Sequence, residues 1–208
     1  MSVGVFGGAF DPPHVGHVEL ARRGIERFRL DRLLVRVVEY PGHKDVSTAP
    51  QIRLFLAELA FAPLDEADVS LDPFARTVGS LEALGLDDPV FLVGADEFAD
   101  FPSWKDPERV LELARLGVGT RPGVDRTELD AVLAGLERPD RVAFFEIEPL
   151  PVSSSAIRAN VAAGKPITGL VPRAVEAEIG RLGLYRRVEH RDPGGMLRDD
   201  PSERTTPT

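Results

Sequence analysis

The chain has no cysteine, and it has no apolar run that approaches the ~18–20 residues needed to cross a bilayer. The missing cysteine excludes disulfide bonds, thiolate zinc sites and a cysteine nucleophile. The N-terminus also lacks a basic segment followed by a long apolar stretch, so no signal peptide is predicted. We therefore expect a cytoplasmic protein with no membrane partner.

The chain has fewer basic than acidic residues, with 25 Lys and Arg and 34 Asp and Glu, which gives a net charge of -9. This balance excludes bulk electrostatic attraction to nucleic acid, although a local basic pocket for a small anion remains open. The chain does have 208 residues, of which 43% are hydrophobic. That is enough for one domain with a buried core.

Apolar runs typical of buried strands alternate with helical patterns along the chain. Strands are predicted at residues 2–6, 32–38, 67–72, 89–96, 117–120 and 141–148. Helices are predicted at residues 18–30, 51–62, 77–85, 106–117, 126–137, 153–164 and 172–185. This alternation predicts an α/β fold with a mostly parallel sheet. Residues 188–208 are polar and rich in turn formers, which predicts a disordered tail.

A first candidate site is the stretch GGAFDPPHVGH at residues 7–17. Its glycines end the first predicted strand, where an open α/β sheet places its ligand. A helix beginning near Val15 would point free N–H groups and a positive dipole end at the same spot, which favours an anion. His14 and His17 would lie on one face of that helix and could stabilise developing charge. The alternative is a capped turn with two surface histidines.

A second candidate site is PVSSSAIR at residues 151–158. Three serine hydroxyls, the free N–H groups of a helix start and Arg158 fall within one helical turn, a composition that suits phosphate. The alternative is a simple serine N-cap. Neither stretch is the G-x-G-x-x-G fingerprint, so a dehydrogenase that binds NAD is disfavoured.

Taken together, the two stretches resemble the two signatures of the HxGH nucleotidyltransferase superfamily. Residues 93–123 carry Gly-x-Asp, Pro-x-Trp and Arg-Pro-Gly, and with residues 169–185 they resemble the nicotinate-nucleotide adenylyltransferase family. The resemblance covers residues 1–187. It implies a single domain with a Rossmann-like, doubly wound parallel sheet and a small C-terminal helical segment.

The resemblance also implies a role for each matching residue. Three side chains would act on the reacting phosphates, namely His14, His17 and Arg158. ATP and its phosphates would contact Gly7, Gly8, Ala9, Phe10, Lys44, Gly94, Asp96, Ser153, Ser154 and Ser155. The pyridine nucleotide would contact Thr77, Trp104 and Arg121. Trp104 would stack on the pyridine ring, and the alternative for this lone tryptophan is a place in the core.

The implied reaction is the transfer of AMP from ATP to a pyridine mononucleotide, with Mg²⁺ carried on ATP and no metal held by the protein. The loop ARTVGSL at residues 75–81 departs from the family, with Ser80 in place of threonine and Arg76 as an additional cation. This departure leaves the acid or the amide form of the pyridine open. An adenylyltransferase for phosphopantetheine or FMN and a nucleotide-binding regulator without catalysis are the alternatives. The sequence leaves a homo-oligomer open.

Overall fold

A computed structural model describes residues 1–42, 46, 48–121, 123 and 126–186. The predicted tail at residues 188–208 and the predicted phosphate ligand Lys44 lie outside the described residues. Within the described residues, no helix is long and apolar enough to cross a membrane.

One parallel sheet organises the described chain. Its strands are β1 (Val3–Gly8), β2 (Arg32–Val38), β3 (Ala67–Asp72), β4 (Val90–Gly94), β5 (Arg115–Thr120) and β6 (Val142–Glu146), in the spatial order β3-β2-β1-β4-β5-β6. The order reverses between β1 and β4, and a crevice opens there at the carboxyl ends of the strands. The predicted Rossmann-like, doubly wound sheet is confirmed.

Helices cover both faces of this sheet, as a parallel sheet requires. They are α1 (Val15–Phe28), α2 (Pro50–Phe61), α3 (Thr77–Leu84), α4 (Ala95–Ala99), α5 (Pro107–Leu113), α6 (Thr127–Ala134), α7 (Ser154–Ala162) and α8 (Arg173–Leu182). Single 3-10 turns follow α4 and precede β6. The C-terminal helix α8 packs against α2 through Val175 and Ile179, so it belongs to the same core.

The core is divided by the sheet into two apolar layers, because alternate strand residues point to opposite faces. In β1, Val5 enters the layer with α3, α5 and α6, while Phe6 enters the layer with α1, α2, α7 and α8. Helix α1 lies close over the sheet at Gly24, where a Cβ atom would come within 2.5 Å of Leu92 in β4. A glycine at this position lets the helix carry the first candidate site directly onto the strand ends.

Several predicted boundaries are wrong, and the ends of β4 and α5 are two of them. The strand predicted at residues 89–96 ends at Gly94, and Asp96 therefore lies in the first turn of α4 rather than on the strand. The helix predicted at residues 106–117 ends at Leu113, because Ala114 is extended and β5 begins at the next residue. Gly117 does not stop that helix; it lies in β5, where a Cβ atom would collide with Phe28.

Candidate active site

A cavity of about 1080 Å³ opens at the carboxyl ends of β1 and β4, where the strand order reverses. We call it the groove. The structure brings every described residue of the predicted site to its wall, namely Gly7, Gly8, Ala9, Phe10, His14, His17, Thr77, Gly94, Asp96, Trp104, Arg121, Ser153, Ser154, Ser155 and Arg158. These residues come from six separate segments of the chain, and the sheet topology alone makes them neighbours.

The two histidines form a stacked pair at the start of α1. Their ring centroids are 3.6 Å apart, with an angle of 19° between the planes. His14 is the N-cap residue, and its Nδ1 accepts a hydrogen bond from the His17 backbone N–H at 3.3 Å. The His17 Nδ1 accepts the His14 backbone N–H in return, at 3.2 Å. This reciprocal cap fixes both rings at the wall of the groove.

The cap also decides which ring nitrogen carries the proton. Since each Nδ1 accepts a backbone N–H, the proton of each neutral imidazole lies on Nε2. Burial lowers the pKa of His14 to about 4, so this ring is neutral near pH 7. The pair therefore presents Nε2–H donors, which can stabilise developing negative charge without a formal positive charge on His14.

The stability of the protein is expected to depend on pH through His14. The unfolded chain binds a proton on this histidine near pH 6.5, whereas the folded chain binds it only near pH 4, so the unfolded state holds more protons in this window. The free energy of unfolding should therefore fall as the pH is lowered from 6.5 to 4, by about 3 kcal/mol from this group.

Urea unfolding at several pH values between 7 and 4 measures this loss. The His14→Asn variant is the matched control, because asparagine retains a capping oxygen and does not titrate in this range. Between pH 7 and 4, the wild type should lose about 3 kcal/mol more than the variant. Parallel pH profiles would show that His14 is not the group responsible.

The N-terminus of α1 offers fewer free donors than the sequence predicts. The Val15 N–H donates to the Leu170 carbonyl at 3.1 Å, and the His17 N–H donates to His14. Among the described residues, only Gly16 in this first turn has no acceptor for its N–H. The imidazoles therefore replace most of the backbone donors that we expected here.

The N-terminus of α7 also lines the groove. Ser153 is its N-cap, with its hydroxyl accepting the Ala156 N–H at 3.2 Å, so the capping alternative is also realised. The N–H groups of Ser154 and Ser155 have no acceptor within the described part of the chain. This helix end thus keeps the two backbone donors that suit a phosphate.

Two side chains of α7 attach it to the loop that follows β1. The Ser154 hydroxyl donates to the Pro12 carbonyl at 2.9 Å, and Arg158 Nη1 donates to the Asp11 carbonyl at 2.7 Å. This bond holds the Arg158 guanidinium at the groove, and its other N–H groups, which have no acceptor among the described residues, can face an anion. The two predicted phosphate sites are therefore one connected unit.

Asp11 lies beneath this unit and was not predicted as part of the site. It is 1% exposed, and its Oδ1 accepts a hydrogen bond from the Tyr185 hydroxyl at 2.7 Å. Burial raises the pKa of Tyr185 well above its usual value, so the phenol stays protonated and remains a donor. The last described segment of the chain is thereby fastened under the loop after β1.

Trp104 lines the groove and is half-buried. Its ring meets Phe91 and Phe101 edge-on, at centroid distances of 6.1 Å and 5.3 Å. The indole is thus anchored in the core by its edge and still contributes to the groove wall. Trp104 therefore packs against core residues and also lines the groove, and its stacking on a pyridine ring stays a prediction.

The altered loop at residues 75–81 is organised by Asp72 at the end of β3. One carboxylate oxygen of Asp72 accepts the Phe74 N–H at 3.0 Å, and the other accepts the Ser80 hydroxyl at 2.6 Å. Ser80 is 4% exposed, so its hydroxyl serves the loop rather than a ligand. Arg76 is exposed at the groove, and within the described residues its side chain makes no ion pair or hydrogen bond.

Sequence reasoning missed Asp11, Arg53, Asp72 and Tyr185, whose bonds shape the groove loops. Only Arg53 left a signal in the sequence. The buried positions of α2 are spaced as one helix face, and this arginine occupies the first of them.

The comparisons with known proteins agree with this geometry. A family model described as cytidylyltransferase-like matches residues 5–160, a range that contains both histidines and Arg158. The match thus spans the whole phosphate-binding unit and most of the sheet. It gives the class of the protein, a cytidylyltransferase-like domain.

Curated relatives narrow this class. A relative from Rubrobacter xylanophilus, named a probable nicotinate-nucleotide adenylyltransferase, is 34% identical over 215 residues, which cover 97% of this chain and 100% of the relative. A relative with the same name from Thermomicrobium roseum is 37% identical, covering 90% of this chain and 92% of its own. The chain therefore belongs to the nicotinate-nucleotide adenylyltransferase family.

Solved structures share the fold. The Plasmodium falciparum nicotinic acid mononucleotide adenylyltransferase complexed with NaAD superposes with a TM-score of 0.70 at 16% identity, covering 88% of this chain and 97% of that one. A protein described as a putative nicotinate-nucleotide adenylyltransferase from Vibrio parahaemolyticus superposes with a TM-score of 0.60 at 21% identity, covering 90% of this chain and 98% of that one. At these identities the likeness concerns the fold alone.

Proposed function

We propose that the protein transfers AMP from ATP to nicotinate mononucleotide, giving the dinucleotide and pyrophosphate in NAD biosynthesis. One observation carries the proposal. A single groove holds the stacked imidazole donors of α1, the open helix end of α7 with Arg158, and the half-buried indole of Trp104. Phosphate groups suit the first two features, and a pyridine ring suits the third.

The chemistry requires positioning and charge stabilisation. The attacking phosphate monoester is largely dianionic near pH 7 and needs no general base. We assign the Nε2–H groups of His14 and His17 to the phosphate oxygens, where they would donate as negative charge develops on the departing pyrophosphate. Arg158 and the N–H groups of Ser154 and Ser155 would hold the triphosphate from the other side and align its α-phosphorus.

Mg²⁺ belongs to the substrate in this proposal. Phosphate oxygens are hard ligands of the kind that Mg²⁺ prefers, and the ion usually keeps several waters when it binds with a nucleotide. The described residues contain no group of three or more His, Asp or Glu side chains placed to hold a metal ion. As part of the same proposal, the protein acts in the cytoplasm, where Mg–ATP is available.

Pyrophosphate release tests the proposed function. Purified protein with Mg–ATP would be offered nicotinate mononucleotide, nicotinamide mononucleotide, phosphopantetheine and FMN in separate reactions. We expect the fastest release with nicotinate mononucleotide, because Arg76 lines the groove and its cation favours a carboxylate over an amide. Release with none of the four would point to a nucleotide-binding regulator instead.

Replacing Trp104 is expected to separate the two substrates. The Trp104→Ala variant should raise KM for the pyridine mononucleotide by roughly 10-fold or more, since stacking of a base on an aromatic ring contributes on the order of 1–3 kcal/mol. KM for ATP should change much less. Trp104→Phe retains a flat ring and is expected to recover most of the loss. Equal effects on both substrates would remove the stacking assignment.

A further inference from the structure

Arg53 and Asp11 are the two most deeply buried charged residues among those described, and neither belongs to the predicted site. Arg53 lies on the core-facing side of α2, together with Leu56, Ala57, Ala60 and Phe61, and it is 1% exposed. Within the described residues it forms no salt bridge. Burial lowers the pKa of its guanidinium, but arginine keeps its proton in proteins. A cation in this position is costly, and packing alone does not require it.

The guanidinium instead donates to four backbone carbonyls. Nη1 donates to Ala9 and to Val38, each at 2.8 Å, while Nη2 donates to Glu39 at 2.7 Å. Nε donates to Thr48 at 3.0 Å. The planar fork of arginine can satisfy this number of acceptors at once, which a lysine ammonium cannot do in the same directions.

These carbonyls belong to the segments that form one side of the groove. Ala9 lies in the loop after β1, five residues before His14, and its neighbours line the groove. The other three carbonyls lie at the two ends of the segment that joins β2 to α2, and Lys44 stands in that segment in the sequence. The Arg53 side chain therefore joins both ends of the β2–α2 segment to the loop after β1.

We propose that Arg53 is a positioning residue for ATP: it holds the loop after β1 and the ends of the β2–α2 segment in the geometry that receives the phosphates. Its charge, which meets only carbonyl dipoles directly, also adds positive potential behind the loop where the anion binds. The kinetic part of this inference rests on the proposed adenylyl transfer, while the ATP-binding part does not.

Two variants of Arg53 test the proposal. Arg53→Met keeps much of the volume and removes the charge and all four bonds, whereas Arg53→Lys keeps the charge and loses the fork. Both should lower kcat/KM for ATP by roughly 10–100-fold, since small misplacements of aligned groups have effects of this size. KM for nicotinate mononucleotide should change by less than about 3-fold, because Trp104 and α3 are not attached to Arg53.

Leu56→Ala is the control for lost packing. Leu56 lies on the same face of α2, is 0% exposed, and contacts the core without bonding either loop. Thermal unfolding would define a temperature at which all variants are folded, and the assays would be run below it. There, Leu56→Ala should keep wild-type constants for ATP. Calorimetric titration with ATP would show the same contrast without turnover.

The experiments distinguish failure of the Arg53 inference from failure of the proposed function. Wild-type ATP constants in Arg53→Met, or the same ATP-selective loss in Leu56→Ala, would overturn the inference. If Arg53→Met does not fold, the ATP constants of Arg53→Lys decide whether the inference holds: a loss selective for ATP supports it, and wild-type constants overturn it. If wild-type protein releases no pyrophosphate, the proposed function fails, and the ATP titrations of the Arg53 and Leu56 variants still test the inference.

Discussion

Replacing His17 with alanine is expected to lower kcat by roughly 10²–10³, the usual cost of removing one donor that stabilises transition-state charge. The binding constant for the mononucleotide should change far less, since we place the Nε2–H of His17 on the phosphates of ATP. Steady-state kinetics with both substrates, together with a titration of the mononucleotide, would measure the two quantities.

The reciprocal histidine cap provides the control for this experiment. His17→Asn places an oxygen near the position of Nδ1, so it can still accept the His14 N–H, and it lacks a donor at the position of Nε2. We expect its thermal stability to stay near the wild type while kcat falls as in the alanine variant. His17→Gln brings an amide N–H to about the reach of Nε2 and should recover part of the rate. Near-normal turnover in His17→Ala would refute the role of this histidine.

Replacing Arg158 with alanine should lower kcat/KM for ATP by about 10², because the change removes a cation from the triphosphate. It also removes the bond from Nη1 to the Asp11 carbonyl, so the loop after β1 loses one of its attachments. Arg158→Lys retains the charge but lacks the planar fork, so its kcat/KM for ATP should lie between those of the wild type and of Arg158→Ala. Initial rates at varied ATP, with the mononucleotide saturating, give these values.

Arg173 offers the matched comparison. It is exposed at the start of α8 and does not line the groove, so Arg173→Ala makes the same change in charge and size outside the site. We expect wild-type kinetics from this variant. If Arg158→Ala and Arg173→Ala behave alike, Arg158 does not bind the triphosphate.

Local sequence was sufficient to predict most of the elements. The strand at Ala67–Asp72 lies where ADVSLD predicts it, and α3 begins at Thr77 as predicted. The errors fall at the ends of elements. Gly117 was assigned from local pattern as a helix stop, whereas it lies in β5 in close contact with the distant side chains of Phe28 and Leu92. Such contacts leave no mark in the neighbouring sequence.

The candidate site divides in the same way. Residues that belong to a motif, such as His14 and Arg158, could be found because their type and spacing in the sequence indicate phosphate chemistry. Tyr185 could not, because its partner is a carboxylate 174 positions away, and Arg53 was missed because its side chain bonds to backbone carbonyls, which carry no motif. A charged residue on an otherwise apolar helix stripe is the one sequence signal that would have led to Arg53.

The bond between Tyr185 and Asp11 has a consequence for how the chain reaches its working form. Contacts between residues so distant in sequence form late, because the intervening chain must first be brought together. During synthesis, the loop after β1 emerges early, and its partner beyond α8 emerges only after all six strands have been made. A nascent chain would therefore hold a largely formed sheet while its phosphate loop still lacks the Tyr185 attachment. The groove is therefore complete only after nearly the whole domain has been synthesised.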